Sequence, residues 1–265
     1  MKIIFAGRKS ISAELLTCLS GMEGVVIVGV LTDNHLAVSP TSRVAEALSI
    51  PILDFHQTLA KAETGELEFD LVLSVLYWRR MRGALLSRAR LGAINFHPAP
   101  LPEYKGTAGY NLAILEGLSE WGVTSHYMDE NIDTGAIIEV DRFPIDREQQ
   151  TVHSLEVECM QRIKAQFRRV VGAILATGAK IPARPNEGGR YVSREEMEAM
   201  KEIRPGDDVA RKIRAFWYPP YDGAYVTIGG NKYTLVDRTL LQQLADPGSS
   251  SLFSPMAGNK GSVEV

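Results

Sequence analysis

Through about its first 145 residues the chain alternates short, unbroken apolar runs with stretches of helical spacing, and that alternation limits the fold more than any other feature. Lys2–Ala6, Val25–Leu31, Asp70–Val75 and Gly92–His97 are the apolar runs. Ser10–Leu19 and Thr41–Leu48 carry the helical spacing between them, with Ser10 read as an N-cap. A strand apolar on both faces is covered on both faces, which is the condition of a parallel sheet flanked by helices. The spacing therefore predicts an α/β fold with a Rossmann-like, mostly parallel sheet. Gly106–Leu115 reads as a further helix. Val123–Met128 and Ala136–Phe143 read as antiparallel strands joined by the loop from Asp129 to Gly135.

The longest helical signal is Thr151–Ala176, where Val152, Leu155, Met160, Ile163, Phe167, Val170, Val171 and Ile174 fall on one face and Gly178 ends the run. Pro182, Pro185, Gly188 and Gly189 then mark a linker, dividing the chain into a main domain, 1–182, and a small α+β appendage, 183–265. In the appendage Ser193–Met200 and Asp208–Trp217 read as helices capped by Ser193 and Asp207. Ala224–Ile228 and Lys232–Val236 read as a hairpin through Gly229-Gly230-Asn231. The last 20 or so residues, rich in Ser, Gly and Pro, are expected to be loosely ordered.

Several function classes lose ground at once. A formal net charge of −3 and a pI near 6.0 give no general attraction for polyanions, which counts against nucleic acid as the main partner. No apolar run reaches the roughly 18 residues that would read as a membrane span. Met1-Lys2 leads straight into the first strand, so the chain reads as cytoplasmic. Cys18 and Cys159 fall at apolar helix positions and read as two reduced, buried thiols. Only Gly7 stands where a dinucleotide fingerprint would place three glycines, so no nicotinamide cofactor is expected. No spacing of His, Cys, Asp and Glu resembles a metal site.

Chemistry concentrates in Ile94-Asn95-Phe96-His97-Pro98, at the end of the fourth strand. Residues two apart on a strand share a face, so Asn95 and His97 aim at one region while Phe96 faces away. Pro98 lacks the N–H that would continue the ladder, so the strand stops there. An amide donor beside an imidazole, with Asp133 in a later loop, suits acyl transfer to an amine. The donor meets charge on the acyl oxygen, and imidazole and carboxylate handle the protons. The competing reading is a polar pair that satisfies backbone groups at a strand end.

The surrounding residues go further. Asn95-Phe96-His97-Pro98-Ala99-Pro100-Leu101-Pro102-Glu103-Tyr104-Lys105-Gly106, then Gly122-Val123-Thr124-Ser125-His126-Tyr127-Met128 and Asp133-Thr134-Gly135-Ala136-Ile137-Ile138, closely resemble the folate-dependent formyltransferase family. The resemblance covers roughly residues 1–145, with three separated segments in the same order. It implies a catalytic triad of Asn95, His97 and Asp133, and N10-formyltetrahydrofolate as formyl donor. It further implies folate contacts from Tyr77, Trp78 and Met81 and from Asp129, Asn131 and Ile132 in the loop. Trp78 also reads as a hydrophobic cover for the sheet edge. Arg79 and Arg80, in the densest basic run, read as partners for a phosphate or for the glutamate tail of folate. Arg88 and Arg90 read as a solvated helix face. His126 reads as a satisfied strand histidine and His153 as a surface residue.

The acceptor is read from two other places. Arg8, Lys9 and Ser10 open a helix whose N-terminal amides favour anions, so this loop is either a structural turn or a phosphate contact. Arg214-Ala215-Phe216-Trp217-Tyr218-Pro219-Pro220-Tyr221 resembles the segment that sugar N-formyltransferases carry after the main domain. Trp217, Tyr218 and Tyr221 would then meet a nucleotide base, or else join Phe216 in fastening the appendage. By this resemblance the acceptor is the amine of a dTDP- or UDP-linked amino deoxysugar used in glycan biosynthesis, and the chain is a homodimer. The alternatives are a methionyl-tRNA formyltransferase, or a silent folate- or nucleotide-binding module.

Overall fold

The structure, a computed structural model, describes residues 1–32 and 38–243; the expectation about the last 20 or so residues lies outside that range. Strands β1 (Lys2–Gly7), β2 (Val26–Leu31), β3 (Ile52–Leu53), β4 (Leu71–Val75) and β5 (Ala93–His97) are joined by helices α1 (Ser10–Ser20), α2 (Pro40–Ala47), α3 (Phe55–Thr64) and α4 (Ala84–Ser87). A short strand, β6 (Tyr104–Gly106), precedes α5 (Gly109–Leu115). The long strands β7 (Glu120–Tyr127) and β8 (Ile137–Pro144) follow, then α6 (Val152–Thr177). The main sheet runs β3-β2-β1-β4-β5-β7-β8, parallel from β3 to β5 and antiparallel at β5–β7 and β7–β8. Its order reverses beside β1 and β4, and ligands of open α/β sheets sit at the carboxyl ends of strands near such a reversal.

The two faces of β5 explain its residue types. Ile94 and Phe96 enter the core between the sheet and α6, where the rings of Phe96 and Phe167 lie 5.1 Å apart. Asn95 and His97 take the opposite parity, as the spacing predicts. Thr151 caps α6 reciprocally with Ser154, and Gly178 closes it in the left-handed conformation. The buried stripe of α6 (Leu155, Cys159, Ile163, Phe167, Val170, Val171 and Ile174) contributes about 1.5–3 kcal/mol for each large apolar side chain.

Beyond α6, β9 (Arg190–Val192) is followed by α7 (Arg194–Ala199), α8 (Val209–Phe216), the hairpin β10 (Tyr225–Ile228) and β11 (Asn231–Thr234), and α9 (Arg238–Gln243). Phe216 and Ile213 of α8 are buried in one cluster with Ile114 of α5 and Val152 of α6. The Asn111 carboxamide also donates to the Ala215 carbonyl at 2.6 Å. No helix among the described residues is long and apolar enough to cross a membrane.

Several expectations need correction. Ser10 is the first helical residue of α1, not its cap; Lys9 holds the cap position and its side chain makes no capping bond. Asp208, not Asp207, caps α8, because its carboxylate accepts from the Arg211 amide while Asp207 pairs with Lys212 at 2.6 Å. Helix α3, which the apolar spacing does not mark, is capped by Asp54 and buries only Phe55, Thr58 and Ala62, a face too mixed to stand out. The helix expected from Gly106 starts at Gly109, since residues 104–106 form a parallel pair with β9. The proline- and glycine-marked linker thus returns to the main sheet's loops instead of simply leaving them. Cys18 is only partly buried, whereas Cys159 is fully so.

Candidate active site

The loop after β5 is tied from several sides. The Trp121 indole donates to the Pro98 carbonyl at 3.1 Å. The Thr124 hydroxyl donates to the Ala99 carbonyl at 2.8 Å and accepts from the Leu101 amide at 3.0 Å. The Leu101–Pro102 bond is cis. These ties hold Asn95 and His97 at a fixed strand end, the condition for aiming small polar groups.

Asp133 comes from the β7–β8 loop, with φ at 56°, the left-handed region that residues other than glycine seldom occupy. The Asp129 carboxylate shapes that loop by accepting from the Asn131 amide at 2.9 Å and the Thr134 hydroxyl at 2.6 Å. Gly135, two residues on, sits where space is short: a Cβ there would lie 1.9 Å from the Tyr127 carbonyl oxygen. The Asp133 carboxylate accepts from the Gly106 amide at 2.9 Å. His97 Nδ1 and His126 Nε2 each face one of its oxygens at 3.6 Å. Burial pushes this carboxyl up, but His97, His126 and the Gly106 amide outweigh it and hold it well below the usual carboxylate range. Asp133 is therefore a carboxylate at neutral pH.

The two imidazoles are held differently. His97, 5% exposed, sets Nε2 2.9 Å from the Tyr104 carbonyl and Nδ1 toward Asp133, so both ring nitrogens face acceptors. His126, 1% exposed, sets Nδ1 2.8 Å from the Tyr127 carbonyl. A carbonyl only accepts, so Nδ1 carries a proton. Nε2 faces both the Asn95 amide nitrogen, 3.3 Å away, and an Asp133 oxygen at 3.6 Å: without a proton it accepts from the amide, and with one it donates to the carboxylate. The local spacing around His126 marks only a satisfied strand histidine. The signal that would have found it is register: β7 pairs antiparallel with β5, which sets His126 directly opposite Asn95.

The expected folate residues gather on one cleft. Tyr77, Trp78 and Met81 line it together with Asp129, Asn131 and Ile132, and Asn95, Asp133 and His126 line it as well. Met81 is buried at 2%, whereas Trp78 is 41% exposed. Arg79 and Arg80 also line the cleft; the Arg79 guanidinium lies 4.6 Å from the Trp78 ring centre and 5.5 Å from that of Phe55. Aromatic and apolar side chains from Tyr77, Trp78, Met81 and Ile132 beside convergent polar groups suit a flat heteroaromatic ligand.

The residues expected at the acceptor form a second group. Lys9 pairs with Glu156 at 2.8 Å, and the Tyr218 hydroxyl donates to the other oxygen of that carboxylate. The Tyr218 ring lies 5.8 Å from that of Tyr221 at a tilt of 44° and meets His153 edge-on at 5.6 Å. Tyr218 and Tyr221 line a depression together with Thr107, Asn111 and Arg194. Trp217 packs on the appendage core beside Phe216 and is outside that lining. Arg8 is half-buried and Ser10 exposed at the start of α1. Arg88 donates to the Glu63 carbonyl and Arg90 pairs with Asp70, both on the exposed surface.

A carboxamide donor, two imidazoles and a buried carboxylate at the carboxyl end of a doubly wound sheet are the equipment of a group-transfer enzyme. Comparison with known proteins names the group. The chain belongs to the formyl transferase family, whose model matches residues 1–171. It is 31% identical to a methionyl-tRNA formyltransferase of Listeria monocytogenes, over 94% of this chain and 83% of that protein. It is 28% identical to a GDP-perosamine N-formyltransferase of Brucella melitensis, over 88% of this chain and 91% of the relative. Its fold matches the N-formyltransferase of Helicobacter canadensis, solved in complex with folinic acid and dTDP-3-aminofucose. The TM-score is 0.69 and the identity 22%, covering 88% of this chain and 86% of that one.

Proposed function

We propose that this formyltransferase moves a formyl group from N10-formyltetrahydrofolate to the amine of a nucleotide-linked amino deoxysugar, with Asn95, His97 and Asp133 as its catalytic residues. The observation that carries the chemistry is that Asn95 and Asp133 line one cleft with Tyr77, Trp78, Met81, Asn131 and Ile132. The donor would supply an activated formyl carbon when bound; Tyr77, Trp78, Met81 and Ile132 fit its pterin ring, and Arg79 or Arg80 fits its carboxylates. In the transfer the amine nitrogen bonds to the formyl carbon, the bond from that carbon to the folate nitrogen breaks, and one proton passes from amine to leaving nitrogen.

Within that balance, each residue has a defined task. Asn95 keeps one amide N–H on His126 and offers the other to the oxygen on which charge develops. Asp133, which lines the cleft, takes the proton from the attacking nitrogen, and His97, held between that carboxylate and the Tyr104 carbonyl, keeps the carboxylate in place. The Asp133 carboxylate, 3.6 Å from His97 Nδ1, orients that ring.

The acceptor reading rests on the Tyr218–Tyr221 pair beside the depression at Asn111 and Arg194, where a nucleobase can stack and a phosphate can meet a guanidinium. Residues 183–265 would serve as the acceptor-side appendage and as the contact of a homodimer. The relatives with methionyl-tRNA as substrate support the competing reading. Against it stands the net charge of −3, since binding a polyanionic tRNA draws on lysine and arginine contacts to phosphates. The test is turnover of N10-formyltetrahydrofolate with GDP-perosamine, dTDP-3-aminofucose or methionyl initiator tRNA. Release of tetrahydrofolate with an amino sugar supports the proposal; release with the tRNA alone overturns its acceptor. Folate binding without turnover of any acceptor would favour the silent module.

A further inference from the structure

Residues 184–192, outside the stretch that the family model matches, cross both loops that hold the Asp133 carboxylate. Arg184 exchanges two backbone hydrogen bonds with Ile137, each 2.8 Å. The Lys105 ammonium donates to the Gly188 carbonyl at 2.7 Å, and the Arg190 amide donates to the Glu103 carbonyl at 2.9 Å. Gly189, at φ +79°, approaches Pro102 so closely that a Cβ would lie 1.6 Å from its carbonyl oxygen. The strap thus has a fixed register over both loops.

At its centre, Asn186 spends both protons of its carboxamide on the catalytic loop. One N–H donates to the Asp133 carbonyl at 3.0 Å and the other to the Gly135 carbonyl at 2.9 Å. Asp133 sits in the left-handed region, which a residue with a side chain keeps only when its surroundings hold it there. Gly106 fixes the Asp133 side chain; these two bonds fix its backbone on both sides of Thr134.

We infer that Asn186 is a positioning residue for Asp133: by bridging the two carbonyls it keeps that backbone left-handed and sets where the carboxylate meets Gly106, His97 and His126. This inference rests on the assignment of Asp133 to proton transfer. It also makes catalysis depend on a residue from the segment after α6, so the family's matched core is not sufficient by itself.

The experiment uses the full-length chain with Asn186→Ala and the near-isosteric Asn186→Asp, which keeps the shape but loses both N–H donors. Glu187→Ala, an exposed neighbour on the same strap, is the control. Three quantities are read: turnover with an accepted amino sugar, affinity for folinic acid, and hydrogen exchange of the Gly106 amide, which donates to Asp133 and needs no acceptor. Both Asn186 variants should lose roughly 10- to 100-fold in kcat, the scale of an ångström-sized misplacement of a reacting group. Folinic acid affinity should stay within about threefold, exchange at Gly106 should speed up about tenfold or more, and Glu187→Ala should behave as the parent. Unchanged Gly106 exchange overturns the inference, as does a folinic acid affinity that falls in step with kcat, or unfolding of both Asn186 variants, because each marks a general structural role. Activity retained by Asp133→Asn would instead refute the proton-transfer assignment and leave the Gly106 readout to judge the strap alone.

Discussion

Asp133→Asn isolates one charge while keeping the shape of the loop. The substitution preserves an oxygen that can accept from the Gly106 amide but removes the negative charge that faces His97 and His126 at 3.6 Å each. At that separation, with an effective dielectric near 20, one full charge pair is worth about 4–5 kcal/mol. Not all of this is lost, because part of the field is present before the amine attacks and because the amide dipole restores some. A loss of half to three quarters of it corresponds to roughly a 30- to 600-fold fall in kcat. Single-turnover release of tetrahydrofolate, with donor and acceptor saturating, measures that step apart from product release. A fall of less than tenfold would refute the reasoning, because the charge of the carboxylate would then not be supporting the transfer. The same variant has a signature in acid. The folded-state carboxyl of Asp133 is depressed, so its ionisation stabilises the native state above the ordinary carboxyl range and that contribution is lost as pH falls through the depressed value. The stability of the parent relative to Asp133→Asn should therefore fall as pH drops from about 5 toward the acid limit, as read by urea unfolding at a series of pH values. A difference independent of pH down to the acid limit would show that the carboxyl is not depressed.

Asn95→Ala removes the amide N–H aimed at the cleft and should lower kcat by about 100- to 1,000-fold with little change in folinic acid affinity; equal losses in both would make it a binding residue. Phe167→Ala empties a ring-sized volume against Phe5 and Phe96 and should cost about 3–5 kcal/mol by chemical denaturation, well above what a surface change would cost. Gly135→Ala puts a methyl group 1.9 Å from the Tyr127 carbonyl, so the β7–β8 loop must open. Activity should fall with Asp133 displaced, and a crystal structure with that loop unmoved would contradict the steric argument.

Much of the fold is legible in residue order because burial on both faces imposes a local pattern. The apolar runs at Lys2–Ala6, Val25–Leu31 and Asp70–Val75 each fall on a strand of the main sheet. Asn95, His97 and Pro98 carry face and stopping point in their spacing. Helix α3 escaped notice because its buried face is two small residues and one phenylalanine. Strand β6 escaped because it exists only through pairing with β9, more than eighty residues away.

The site divides along the same line. Local sequence determines that an amide and an imidazole share a strand face, that an aspartate follows in a loop and that Gly135 permits that loop to close. Only the tertiary structure decides that His126 stands opposite Asn95, that the Tyr104 carbonyl and Gly106 amide occupy the remaining partners of His97 and Asp133, and that Asn186 clasps the loop. Those partners are backbone groups or distant side chains, brought together by strand register and by the returning strap. A periodicity of two or 3.6 residues describes which face a side chain takes, but not what it meets there.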